Sequence, residues 1–341
     1  MDMNRKTWIG VSVVVAVAVA IAAAFQFLRS DSFLQKRLAP PVKLVLGTPG
    51  SPFSENVFIA KQLGFFRDEG LDVTLLPHPS GALALAALLA GKTDLAVVTE
   101  TPIVFAALRG ARFFILATIH ESGTNVAMIG RRDRGIAKPS DLAGKRLGTV
   151  FGTNAEFFQD TILAIHNIDP RSIVRVNLAP AHAEAALLAG EVDALTIWAP
   201  HWLELRKRLG DAAEVFGDET IYTTTYNLVA RDELVKQHPE AIRRILAALI
   251  RATAIARSDP ARAIPAVVEA SGYAESAVKA NRDPRNFTVA LNQSLVISME
   301  DQARWAIRRR LVEGAAMPNF LNWIHADALA AIKPEAVSVI K

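Results

Sequence analysis

The chain has 341 residues, too many for one ordinary domain and about right for two. Hydrophobic residues make up 51% and charged residues 21%, which excludes a disordered chain; 38 basic against 34 acidic side chains leave a net charge of +4, too small to point to nucleic acid. There are no cysteines, which excludes disulfides, thiolate metal sites, a cysteine nucleophile and a lipidated N-terminal cysteine.

Arg5 and Lys6 precede an apolar run, residues 8–28, in which only Gly10, Ser12 and Gln26 fall outside the hydrophobic set and nothing is charged. At ~1.5 Å per helical residue, such a run crosses a hydrocarbon core of ~30 Å. The basic start and the small residues Ala22, Ala23 and Ala24 also fit a secretory signal, whose apolar region is usually shorter, ~7–15 residues. Residues 1–28 therefore read as an uncleaved membrane anchor or a cleaved signal, with the length favouring the anchor. Either sends the remainder across a membrane. Residues 29–41, ending in Ala39-Pro40-Pro41, read as a linker.

Beyond the linker, short aliphatic runs alternate with longer helical ones. Strands are expected at 42–46, 71–76, 95–98 and 113–119. Helices are expected at 53–63, stopped by Gly64, at 82–90, stopped by Gly91, and at 299–312. Strands alternating with helices of this size imply parallel βαβ units. The pattern then repeats. Ala87-Leu88-Leu89-Ala90-Gly91-Lys92-Thr93-Asp94 is matched by Ala186-Leu187-Leu188-Ala189-Gly190-Glu191-Val192-Asp193, an offset of 186 − 87 = 99. Leu46-Gly47-Thr48 is matched by Leu147-Gly148-Thr149, an offset of 147 − 46 = 101. Two landmarks in the same order at nearly equal spacing indicate two α/β lobes of related architecture.

Open α/β sheets bind ligands outside the carboxyl ends of their strands. The repeat places those ends at 48–54 and 99–102 in one lobe, and at 149–154 and 198–200 in the other. In the first loop Ser51 is a good N-cap, Pro52 suits the first helical position, and Phe53 and Ser54 follow. In the second, Gly152, Thr153 and Asn154 open a helix, and Thr153 with Glu156 spells a T-x-x-E capping box. Both loops offer backbone N–H groups at a helix start, which can receive an anionic or carbonyl group. Trp198 corresponds through the repeat to Thr99 and is a candidate aromatic wall. Glu100, between Thr99 and Thr101, is the acid expected to face the cleft, followed by Glu121. If both line it, a cationic ligand group is favoured. Arg308-Arg309-Arg310 reads as a solvated helix face.

Catalytic and metal signatures are missing from the sequence. None of the seven histidines has H-x-x-x-H or H-E-x-x-H spacing, and there is no G-x-S-x-G elbow, no G-x-G-x-x-G and no Walker A sequence. His120-Glu121 are neighbours on a strand end and point apart. No cofactor, metal or catalytic residue is expected, and the chain reads as a non-enzyme.

The stretch Lys61-Gln62-Leu63-Gly64-Phe65-Phe66-Arg67-Asp68-Glu69-Gly70-Leu71-Asp72-Val73 resembles the G-F-F-x-x-E-G-L-D-V signature of the periplasmic solute-binding proteins of ABC transporters, in the branch serving nitrate, sulfonates, taurine and thiamine precursors. Ser140-Asp141-Leu142-Ala143-Gly144-Lys145, the run from Gly190-Glu191-Val192-Asp193-Ala194 to Trp198-Ala199-Pro200, His238-Pro239-Glu240, and the tail Ile332-Lys333-Pro334-Glu335 are similar to further stretches of that family. The resemblance spans residues 42–341. It implies an α/β, two-lobed type II periplasmic-binding-protein fold with two crossover strands, near 125–129 and 226–230, behind an N-terminal apolar helix. Lobe one would comprise 42–124 plus 222–341, and lobe two 125–221. It also implies that Ser51, Phe53, Ser54, Thr99, Glu100, Thr101, Gly152, Thr153, Asn154 and Trp198 surround the ligand, with Glu121 added from its position. The implied role is that of a monomeric periplasmic solute carrier tethered through residues 8–28, with a small-molecule solute and ABC permease and ATPase subunits as partners, and no nucleic acid. An enzyme on the same fold, of the thiamine-pyrimidine-synthase or dehydratase kind, and a membrane-tethered ligand sensor are the alternatives.

Overall fold

The computed structural model describes residues 40–49, 52–280 and 282–340. The apolar run at 8–28 and Ser51, two features singled out in the sequence, lie outside the described residues. Among the described residues, no helix is long and apolar enough to cross a membrane. Lys43–Lys341 form one compact unit.

The chain begins with β1 (Val42–Thr48), a 3-10 turn Pro52–Ser54, α1 (Glu55–Gln62), the single turn α2 (Phe65–Asp68), β2 (Leu71–Pro77), α3 (Gly81–Leu89), β3 (Leu95–Thr99), α4 (Glu100–Leu108) and β4 (Phe114–Ser122). A second series follows: β5 (Val126–Arg131), β6 (Arg146–Thr149), α5 (Asn154–Ile165), β7 (Val174–Asn177), α6 (Pro180–Ala189), β8 (Ala194–Trp198), α7 (His201–Leu209) and β9 (Ala213–Phe216). The chain then returns with β10 (Thr224–Ala230), α8 (Asp232–Gln237), α9 (Pro239–Ser258), α10 (Pro260–Ser271), α11 (Glu275–Ala280), β11 (Phe287–Ala290), α12 (Gln293–Arg308) and α13 (Asp327–Ala330).

These strands make two sheets, ordered β11-β4-β10-β3-β1-β2 and β7-β6-β8-β5-β9. Read from β2, the first five strands of the first sheet run β2-β1-β3-β10-β4, with β11 beyond them as an added edge strand; the second sheet runs β7-β6-β8-β5-β9. The two orders correspond strand for strand. In each, one central pair is parallel, β1 with β3 through Leu46 opposite Leu95, and β6 with β8 through Leu147 opposite Ala194. In each, an antiparallel strand lies beside that pair, β10 on β3 and β5 on β8. The register offsets, 147 − 46 = 101 and 194 − 95 = 99, are those of the sequence repeat.

The repeated aspartates explain why the repeat holds. Asp94 Oδ2 accepts a 2.8 Å hydrogen bond from the Val45 N–H, and Asp193 Oδ2 accepts one of 2.9 Å from the Arg146 N–H. Each carboxylate ties the strand it precedes to its parallel neighbour. Each also has an arginine partner, Arg231 for Asp94 and Arg146 for Asp193. Gly91 and Gly190 end both copies of the preceding helix with φ of 72° and 78°, a left-handed turn that favours glycine.

The chain passes between the sheets at 123–125 and again at 217–223. There the two connections touch. A Cβ on Gly123 would lie 2.5 Å from the Glu219 carbonyl oxygen, so only glycine permits this approach. The stretches expected as crossovers, 125–129 and 226–230, fall largely inside β5 and β10 and are full members of the sheets. Every residue of β10 is buried, with β3 and β4 paired along its two edges. Helix α12 starts at Gln293 rather than 299, since Ser294-Leu295-Val296-Ile297 reads as readily as a strand and only packing of Leu295, Val296 and Met299 selects the helix. It ends at Arg308, and Arg310 adopts a φ of 55°. Arg309 is correspondingly not a solvated helix residue: its Nε lies 3.0 Å from Asp160 on α5.

Candidate functional site

The parallel strands end at Thr48 and Thr99 in the first sheet, and at Thr149 and Trp198 in the second. A solvent-open cleft lies at these ends. The first sheet contributes Thr99 and Tyr226; the second contributes Trp198 and, just beyond it, Ala199-Pro200-His201. Thr153 and Asn154 come from the start of α5, Ser80 and Gly81 from the start of α3, and Tyr273 from the segment after α10. Thr99 and Trp198, which the repeat pairs at an offset of 99, face one cleft.

Four helices begin on this cleft: α3 at Ser80-Gly81, α4 at Thr99, α5 at Thr153-Asn154 and α7 at Pro200-His201. Each N-terminus carries unpaired N–H groups and about half a positive charge. Among the described residues, no lysine or arginine lines the cleft. Its walls include Trp198, Tyr226 and Tyr273. These features suit one small solute with an electron-rich polar end and an apolar body. Local chemistry fixes the walls. Ser80 accepts from Leu83 N–H at 3.3 Å, Thr153 Oγ1 donates to the Val150 carbonyl at 2.7 Å, and Asn154 Nδ2 donates to Thr224 Oγ1 at 3.2 Å, reaching from α5 to β10. Tyr226 stacks on Phe53 with ring centroids 5.2 Å apart.

Of the residues expected around the ligand, Thr99, Thr153, Asn154 and Trp198 are brought together here. Phe53 is not on the cleft: it is buried against His120 and Tyr226. Ser54 is buried and accepts from Thr48 Oγ1 at 3.1 Å, serving the loop rather than a ligand. Gly152 gives its N–H to Glu156 Oε2 at 2.7 Å, so the expected capping box closes on the residue before the cap. Ser51 lies outside the described residues.

Glu100 departs most from expectation. It is fully buried behind Thr99 and does not line the cleft. Its Oε2 accepts from the Thr225 N–H at 2.9 Å and the Thr225 hydroxyl at 2.8 Å, and its Oε1 accepts from Gln302 Nε2 at 3.2 Å. Thr101 donates to the Gln302 Oε1, completing the network. Burial pushes the Glu100 carboxyl up to about 7 against four hydrogen bonds that favour its ionised form, the fourth from its own backbone N–H. The physical reason for the departure is helix direction: as first residue of α4, Glu100 turns into the interface with β10 and α12, not toward the strand end. Glu121 lines a separate groove with Phe157, Tyr222 and Asp301, and burial raises its carboxyl too. With both acids outside the cleft, the expectation of a cationic ligand group loses its basis. His120 is buried among Phe53, Tyr226 and Phe287, which lowers its imidazole to about 3 and leaves it neutral.

Tyr226, His201, Tyr273 and Ser80-Gly81 were missed. Ser80 and Gly81 follow the end of β2, and the strand-end rule alone could have found them. His201 stands next to the Trp198-Ala199-Pro200 stretch. Tyr226 was buried in an expected crossover, and Tyr273 carries no sequence signal.

The sequence profile of the NMT1/THI5-like family matches residues 52–263. The taurine-binding periplasmic protein of Escherichia coli is 27% identical over 184 residues, covering 52% of this chain and 56% of that protein. The 4-amino-5-hydroxymethyl-2-methylpyrimidine phosphate synthase of Saccharomyces cerevisiae is 23% identical over 237 residues, covering 65% of this chain and 68% of the synthase. The chain spans less than two thirds, 64%, of the length of the first curated relatives it matches. Among solved structures, the alkanesulfonate-binding protein of Xanthomonas axonopodis pv. citri, bound to MOPS, superposes with a TM-score of 0.73 at 23% identity, over 84% of this chain and 99% of the other. That likeness shows the fold: two α/β sheets in the arrangement of periplasmic binding proteins. With the profile covering more than half of its residues, the chain belongs to the NMT1/THI5-like family.

Proposed function

We propose that this protein is the solute-binding component of an ABC importer, holding a small polar molecule in the cleft at the strand ends and delivering it to a permease with its ATPase. The observation that carries this reading is that strand ends from two separate sheets, Thr99 and Trp198, together with four helix starts, line one cleft. The contact set is Thr99, Thr153, Asn154, Trp198, Tyr226 and His201. Residues 42–124 with 222–341 form lobe one and residues 125–221 lobe two, hinged at 123–125 and 217–223, so that a solute touching both lobes favours the closed state. The relatives that bind taurine and an alkanesulfonate support a solute of that size and polarity. The protein acts in the periplasm as a monomer, with residues 8–28 as its signal or tether.

A thermal-shift screen of taurine, ethanesulfonate, nitrate and pyrimidines, followed by calorimetry, tests this. A binding protein gains melting temperature by mass action without consuming its ligand. Absence of any hit across the panel would refute it. The synthase relative supports a second reading, an enzyme on the same fold; loss of the bound compound with time, followed by mass spectrometry, would favour that reading instead.

A further inference from the structure

Among the described residues, the cleft wall includes one side chain able to carry positive charge, His201. It occupies the first position of α7, three residues past Trp198, with its ring 6.5 Å from the indole and edge-on to it. Its Nδ1 is hydrogen-bonded to Glu184 Oε1 on α6, at 2.5 Å. A carboxylate only accepts, so Nδ1 must donate, which fixes the ring's orientation and leaves Nε2 as the variable atom. No hydrogen-bond partner for Nε2 exists among the described residues. When neutral, the ring presents an acceptor at Nε2; when protonated, it presents a second donor and a full positive charge beside four helix N-termini.

We propose that His201, oriented by Glu184, is the specificity-determining residue that makes this cleft prefer an anionic head group over an uncharged one of the same shape, and that makes the preference depend on pH. This rests on the solute-binding reading above. The groups that face the pair are known. Arg208 lies 4.0 Å from Glu184 Oε2, and Tyr273, whose phenol is raised by burial and by the Glu184 charge, lines the cleft from the other side. Behind the wall stands Glu100, a second group whose ionisation would disfavour an anion as pH rises. The wild-type pH profile alone therefore does not separate the two, but variants do.

The experiment measures ethanesulfonate and its uncharged isostere ethanesulfonamide by calorimetry at pH 5.5 and 8.5, in the wild type and in His201→Gln, Glu184→Gln and Glu100→Gln. In the wild type, the expected preference for the sulfonate is at least tenfold greater at pH 5.5 than at 8.5. Glu100→Gln keeps most of that change, His201→Gln abolishes it, and Glu184→Gln reduces it while leaving the ring in place. Circular dichroism checks that each variant is folded, and Glu184→Gln tests the same pair should His201→Gln not fold. A pH effect that survives His201→Gln and Glu184→Gln, or that vanishes in Glu100→Gln, overturns the inference while leaving the solute-binding reading intact. No binding of ethanesulfonate by the wild type at either pH overturns the inference, whereas the solute-binding reading falls only if the whole thermal-shift panel gives no hit.

Discussion

Replacing Glu100 by glutamine should make the protein more stable at neutral and alkaline pH. The carboxyl is fully buried, and its ionisation is displaced from an ordinary 4.5 to about 7. Between those values the folded chain holds a proton that the unfolded chain has released, so stability falls as pH rises through this window and is level above it. About 2.5 pH units at 1.36 kcal/mol each amounts to ~3 kcal/mol. Glu100→Gln preserves the volume and an acceptor for the Thr225 N–H and hydroxyl, and removes the ionisation. Urea unfolding at pH 5, 6, 7 and 8 should show the variant's advantage growing with pH, approaching ~3 kcal/mol by pH 8 with an unchanged m-value. Glu55 and Glu156 are also raised by burial and slope the same way, so only the difference between variant and wild type isolates Glu100. A difference that is flat from pH 5 to 8 would refute the claim that a buried, titrating carboxyl stands behind the cleft.

Three further outcomes are expected. Asp160 on α5 accepts from Trp305 Nε1 at 2.8 Å and pairs with Arg175 and Arg309, so Asp160→Ala, which strands these partners, should cost ~3 kcal/mol in urea unfolding, with Asp160→Asn recovering part of the loss by keeping the indole bond. Asp94→Ala and Asp193→Ala remove equivalent strand ties and should each cost about 2–3 kcal/mol; if one is neutral while the other is severe, the structural equivalence of the two halves is not energetic. Trp198→Ala should weaken ethanesulfonate binding at least about tenfold by calorimetry, the loss typical of a central aromatic contact, and unchanged affinity would remove Trp198 from the site.

The sequence by itself determined the strand–helix alternation, the two-fold repeat and the edge of each sheet where a ligand can sit. Those features follow from local rules. Aliphatic runs of five residues become strands, Gly91 and Gly190 end helices, and the aspartate three residues after each glycine recurs because each strand needs the same tie to its neighbour. The same rules placed Thr99, Thr153, Asn154 and Trp198 at strand ends or helix starts, and all four line the cleft. What only the tertiary structure decided is direction and distant partnership. Glu100 and Thr99 are neighbours in the chain, yet one turns into a buried network with Thr225 and Gln302 while the other meets the cleft. Gln302 lies about two hundred positions away, and no local pattern encodes that pairing. Tyr226, Tyr273 and the His201–Glu184 pair reach the cleft or its rim through the return of the chain and the packing of α6 against α7. Their side chains are ordinary in sequence, and only the folding of the chain into two sheets, which closes one cleft between four helix starts, gives them a shared electrostatic setting.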